Sequence, residues 1–217
     1  MLDLPIKYAL FDMDGTLTET MGFWRNCINE FLKEEGVSLS EEQIRYLEKT
    51  PFEIALEEIR AMHLSPRADT VTFEDIYQIL KHHYERDAVP RAGVVALLED
   101  LKARGVKMGV ATLSPYSLAT ICLERTGLLP YFSFIIGPEG YPEGKNGPRI
   151  FLDAAEKLGC EPCEMHLFED SLYSIETAAK MGISVVGTAD RYQAHNRERI
   201  IDVSVAFFDE GFTKRIK

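Results

Sequence analysis

No apolar run in this chain approaches the roughly 20 residues that a helix needs to cross a bilayer, so no membrane partner is expected. Cysteine is scarce: Cys27, Cys122, Cys160 and Cys163 are too few and too scattered to staple 217 residues with a disulfide framework. Cys160-Glu-Pro-Cys163 is a single CxxC with no second pair and no neighbouring histidine, whereas a structural zinc site wants four ligands, so neither a zinc nor a redox role is assigned to it. The five histidines, His63, His82, His83, His166 and His195, fall at no metal-ligand spacing. Basic residues are outnumbered, 24 Lys and Arg against 35 Asp and Glu, and the net charge of −11 argues against a nucleic-acid partner. It does not exclude an anionic substrate, because a few local donors and a metal dominate the field at close range. The first strand-like segment begins within a few residues of Met1 and leaves no room for a signal peptide, so a cytoplasmic protein, monomeric or weakly dimeric, is expected.

What is present is concentrated near the start. Asp12-Met13-Asp14-Gly15-Thr16 directly follows the apolar, strand-forming run Tyr8-Ala9-Leu10-Phe11. In extended chain, residues i and i+2 lie on one face, so both carboxylates aim into the space beyond the strand's carboxyl end. Open α/β sheets bind ligands there. Two unpaired carboxylates at the end of a buried strand require a cation, and the hard cation that suits oxygen ligands is Mg2+.

From about residue 89 the chain alternates between helix and strand. Helices are predicted over 92–104, 115–125, 148–158 and 172–181, and strands over 106–111, 132–136, 165–168 and 183–186. Gly105, Gly127, Gly159 and Gly182 follow the helices as stop signals. With the first strand this makes a doubly wound, mostly parallel α/β sheet of five strands or slightly more. Thr112 follows Thr16 by 96 positions, far more than a parallel crossover needs. The surplus carries helical periodicity: Phe23, Cys27 and Phe31; Ile44 and Leu47; Phe52, Leu56 and Ile59; Phe73, Tyr77 and Leu80. It is read as a helical cap domain over 18–89, inserted into a core domain made of 1–17 and 90–217.

The first pentad, with Thr112, Lys145 and Glu169-Asp170-Ser171 in the same order and spacing, resembles the motif set of the haloacid dehalogenase (HAD) superfamily. The resemblance spans nearly the whole chain and implies a HAD-like Rossmannoid core. The small helical insert resembles the subgroup that holds phosphoglycolate phosphatases and β-phosphoglucomutases. Two departures stand out. Asn146 follows the motif lysine where the family usually has proline, although Pro148 keeps the second proline, and Ser174 stands where the fourth motif often has glycine. That second change is expected to act on helix packing.

The resemblance implies an Mg2+-dependent phosphomonoester hydrolase acting on a small phosphorylated metabolite, of the sugar-phosphate, polyol-phosphate or phosphoglycolate kind. A covalent aspartyl-phosphate splits a very slow reaction into two easier steps. Asp12 is the implied nucleophile and Asp14 the general acid and base, an acid that the dehalogenase branch lacks. Thr112 and Lys145 complete the catalytic set, with Gly15, Thr16, Leu113 and Ser114 binding phosphate oxygens. Asp12, Asp14 through its main-chain carbonyl, and Asp170 are the implied metal ligands; Glu169 is a further ligand or an acid behind them. Trp24, Arg25 and Lys49 are the substrate contacts offered by the insert. The alternative is a β-phosphoglucomutase-like phosphotransferase, but mutases of the subgroup generally carry a cap histidine and a cap-loop arginine that this chain does not match. A non-catalytic HAD-like module would have lost one of the motif acids or the lysine, and none is lost.

Overall fold

The computed structural model describes residues 2–47 and 52–217. The chain divides into two compact units: one runs to Glu19 and resumes at Ala88, and the other spans Thr20–Asp87. Among the described residues, no helix is long and apolar enough to cross a membrane.

The Thr20–Asp87 unit is helical, with α1 (Met21–Glu34), α2 (Glu41–Leu47), α3 (Phe52–Ala61) and α4 (Phe73–Arg86). Cys27, Ile28, Phe31 and Leu32 of α1 are buried, and α4 buries Ile76, Leu80 and Tyr84 at successive i+4 spacings. The stripe on α4 therefore differs from the expected one. Phe73, in the first turn, is 38% exposed and pairs with the Tyr77 ring. Thr72 leads into α4, its main-chain N–H donating to Asp75 Oδ2 at 2.9 Å, which satisfies a helix-start donor.

The other unit is a six-stranded sheet flanked by helices. Its strands are β1 (Tyr8–Phe11), β2 (Lys107–Ala111), β3 (Ile135–Ile136), β4 (Met165–Glu169), β5 (Ser184–Thr188) and β6 (Ala206–Phe208), ordered 3-2-1-4-5-6 with every pairing parallel. The helices are α5 (Val94–Ala103), α6 (Tyr116–Arg125), α7 (Arg149–Leu158), α8 (Leu172–Lys180) and α9 (Arg197–Val203). Parallel strands covered on both faces read as continuous apolar runs; Ala9, Leu10 and Phe11 of the central β1 are wholly buried. Gly159 closes α7 at φ 76, a left-handed conformation suited to glycine.

The third strand is shorter than expected. Ser133 spends both its N–H and its hydroxyl on the Met108 carbonyl, and ladder pairing covers only the last two residues. The sixth strand, β6, extends the sheet one strand past the five placed from the sequence, within the expected five or slightly more. The chain runs out from β1 to β2 and β3, then returns to place β4 on the other side of β1. The order reverses between β1 and β4, and the carboxyl ends at such a reversal form a ligand-binding crevice.

Candidate active site

Asp12 continues β1 by one residue, its N–H donating to the Phe168 carbonyl at 2.9 Å, and the residue is only 7% exposed. The chain then turns tightly. Leu17 and Thr18 both donate main-chain N–H groups to the Met13 carbonyl, and Gly15 sits at φ 91, where a side chain would be strained. This turn leaves Asp14 half-buried and buries Thr16, whose hydroxyl donates to Asp170 Oδ1 at 3.2 Å.

β2 delivers Thr112 and Ser114 to the same end of the sheet. The Ser114 hydroxyl donates to Asp14 Oδ2 at 2.6 Å, the Thr112 hydroxyl lies 3.4 Å from that oxygen, and the Ser114 N–H donates to Thr112 Oγ1. Both hydroxyls thus face the second acid. Leu113, between them, is 38% exposed. Lys145 lies in the short turn Gly144–Asn146 ahead of α7 and is almost wholly buried; its ammonium donates to Asp12 Oδ1 at 2.5 Å and to Glu169 Oε2 at 2.9 Å. Glu169 ends β4, and Asp170 follows it with no exposed surface.

Three buried carboxylates, Asp12, Glu169 and Asp170, therefore cluster where one ammonium touches two of them. Burial, then the charge of Glu169, raises the Asp12 carboxyl to about 8 against the pull of Lys145. Burial also raises Asp170, reinforced by Glu169 and Asp12. Burial opposes the charge on Lys145, but Asp12 and Glu169 overcome it and hold the ammonium well above the usual lysine range.

Asp12, Glu169 and Asp170 each offer an oxygen within 4.8 Å of the others, the spacing of a metal-binding carboxylate cluster. Their free capacity differs. Glu169 Oε1 accepts the N–H groups of Asp170 and Ser171, and Oε2 accepts Lys145 and the Ser174 hydroxyl at 2.7 Å, so its lone pairs are spent. Asp12 Oδ2 and Asp170 Oδ2 are buried with no hydrogen-bond partner. Two such orphaned anionic oxygens fit a hard divalent cation.

The family model for haloacid dehalogenase-like hydrolases matches residues 9–188. The chain belongs to that family. Among relatives of this hydrolase, validoxylamine A 7'-phosphate phosphatase of Streptomyces hygroscopicus subsp. limoneus is 27% identical over 206 residues, covering 94% of this chain and 93% of its own. Phosphoglycolate phosphatase of Rhodospirillum rubrum is 28% identical over 214 residues, covering 94% of this chain and 87% of its own. The crystal structure of CbbY from Rhodobacter sphaeroides in complex with phosphate shares the fold, with a TM-score of 0.77, 22% identity and 96% of both chains covered.

The motif residues of the sheet unit thus converge beyond the carboxyl ends of β1, β2 and β4. Trp24 and Arg25 belong to α1 of the helical unit. There the Trp24 indole N–H donates to the Tyr84 hydroxyl at 2.8 Å, and Arg25 is half-buried. Lys49 lies outside the described residues. Two residues of this hydrolase carry more than the sequence suggested. Ser174, expected to act on helix packing, is fully buried in α8 and also donates its hydroxyl to Glu169. Arg91, not singled out at all, sends its guanidinium to the Gly15 carbonyl of the turn between Asp14 and Thr16.

Proposed function

We propose that this hydrolase is an Mg2+-dependent phosphatase that releases inorganic phosphate from a small phosphorylated alcohol through an aspartyl-phosphate on Asp12. The observation that carries the reading is the pair of buried, partnerless oxygens on Asp12 and Asp170 beside the Lys145 ammonium. Asp12, Asp170 and the main-chain carbonyl of Asp14 are the groups that would hold Mg2+; Glu169, its oxygens already occupied, would stand behind them and fix Lys145. The metal would supply Lewis-acid neutralisation of the transferring phosphoryl oxygens.

The Asp12 carboxylate attacks phosphorus, and Lys145 keeps that carboxylate oriented and offsets the approach of one anion to another. As the P–O bond to the alcohol breaks, Asp14 donates a proton to the departing oxygen. The deprotonated Asp14 then takes a proton from the water that attacks the aspartyl-phosphate, which returns Asp12 and liberates phosphate. Ser114 and Thr112 hold the Asp14 carboxylate from the side of β2, and Leu113, Ser114, Gly15 and Thr16 are the candidate phosphate-binding residues. The helical unit is assigned the part of a cap domain, with Trp24, Arg25 and Lys49 as its candidate substrate contacts.

Hydrolysis is preferred to transfer within a sugar phosphate because relatives named as phosphatases, acting on phosphoglycolate or validoxylamine A 7'-phosphate, each cover 94% of this chain. The test is phosphate release from a panel of small alkyl phosphates, with and without metal. Activity is expected with Mg2+ and is expected to vanish in excess EDTA; full turnover in EDTA overturns the metal assignment.

A further inference from the structure

Arg91 is only 8% exposed, and a buried guanidinium persists only where its donors are met. It donates in three directions: from Nη1 to the Gly15 carbonyl, from Nη2 to the Ala189 carbonyl at 2.6 Å, and from Nε to Glu19 Oε1 at 3.0 Å. The acceptors belong to three segments, namely the turn after β1, the loop after β5 and the chain that leaves the turn. Strand-like pairing reinforces the last of these, with the Arg91 N–H donating to the Leu17 carbonyl and the Glu19 N–H to the Val89 carbonyl. A planar fork reaches three such acceptors at once; the point charge of a lysine does not.

The Gly15 carbonyl is a consequential place to pull. Its peptide joins Gly15 to Thr16, whose hydroxyl holds Asp170, and Gly15 itself directly follows Asp14. Asp14 is held by Ser114 from the opposite side. Rotation of that peptide would shift Asp14, the residue just before it, while Arg91 reaches the turn only through main chain.

We propose that Arg91 is a positioning residue that holds Asp14 in place for proton transfer by fixing the Gly15 carbonyl. The inference rests on the reading of Asp14 as the acid and base. Its signature is leaving-group dependence. The alcohol of an alkyl phosphate needs the proton of Asp14 to depart, whereas p-nitrophenolate leaves without it, and kcat/KM reports the first half-reaction.

The experiment measures kcat/KM of the full-length, Mg2+-loaded protein on ethyl phosphate and on p-nitrophenyl phosphate, for wild type, Arg91→Lys and Asp14→Asn. Arg91→Lys is expected to lose about 10-fold or more on ethyl phosphate and no more than about 2-fold on p-nitrophenyl phosphate, and Asp14→Asn to show the same bias more strongly. Equal loss on both esters, or no loss, in Arg91→Lys overturns the proposal while the role of Asp14 stands. Absence of bias in Asp14→Asn overturns the role of Asp14, and the inference with it. If Arg91→Lys loses its cooperative unfolding transition, Glu19→Gln carries the test, since it loosens the guanidinium without emptying its site. A bias of about 3-fold in the same direction is then expected, and a flat ratio overturns the proposal.

Discussion

Lys145 and His83 each sit between two carboxylates, in different units of the molecule. Lys145 touches Asp12 at 2.5 Å and Glu169 at 2.9 Å; His83 touches Glu30 through Nε2 at 2.7 Å and Asp87 through Nδ1 at 2.8 Å. The contacts are nearly alike, and the surroundings are not. The His83 cluster is open, with Asp87 about half-exposed, so water screens whatever charge the imidazole leaves unmatched. The Lys145 cluster is sealed, and oxygens of Asp12 and Asp170 remain buried without a donor. Water can screen the unmatched charge of an open surface cluster, whereas a sealed cluster with surplus negative charge requires something that folding itself does not supply. That surplus marks the site more sharply than any contact within it.

The largest expected effect lies at the nucleophile. Asp12→Asn keeps the shape of the side chain and removes its nucleophilic oxygen, so kcat with Mg2+ is expected to fall by about 1,000-fold or more. The check is steady-state phosphate release, alongside a thermal unfolding curve that shows the fold is kept. A variant that retains more than about a tenth of wild-type kcat, a barrier change under roughly 1.4 kcal/mol, rules out covalent catalysis by Asp12.

Next comes stability. Lys145→Met fills the space but leaves Asp12 and Glu169 buried without their cation. Breaking a buried pair from one side is expected to cost on the order of 3 kcal/mol, read as a fall in the urea midpoint of the metal-free protein. A cost below about 1 kcal/mol, the scale of an exposed ion pair, would erase the contrast between the two clusters.

The parts of this site that were legible in the sequence share one cause. Asp12, Thr112 and Glu169-Asp170 each come at the end of an apolar run, and a polar residue there reports a strand's carboxyl end without knowledge of the partner strands. Helix ends were legible for a similar reason, since glycine stops are local. Part of what was not legible depends on groups that every residue carries. Two of the three acceptors of Arg91 are main-chain carbonyls, 76 and 98 positions away, and a carbonyl leaves no trace in residue identity. β6 has only three residues, too few to show a period of two. The role of Ser174 was hidden because its partner Glu169 lies on the preceding strand and the position reads locally as part of a helix.

The smallest effect is at His83, and it sharpens the comparison by its pH dependence. Burial opposes protonation of this imidazole, but its hydrogen bonds to Glu30 and Asp87 overcome that and raise its pKa above 6.5. Phe23 stacks on the ring at 4.9 Å and His82 lies edge-on at 5.9 Å, so the facing charges are the two carboxylates and the neighbouring histidine. A group whose folded pKa exceeds its unfolded one binds more protons in the native state, so stability falls as pH rises between the two values. The contribution is therefore complete below about pH 6.5 and is lost as pH climbs through the raised value. His83→Gln keeps a hydrogen-bonding side chain without the titration; it is expected to cost under about 1 kcal/mol at pH 6, as an exposed cluster should, and almost nothing at pH 9. Urea denaturation of both proteins across that range checks it. If the difference between them grows with pH, the imidazole is held neutral, and the open ion-pair cluster that sets off the sealed one does not exist.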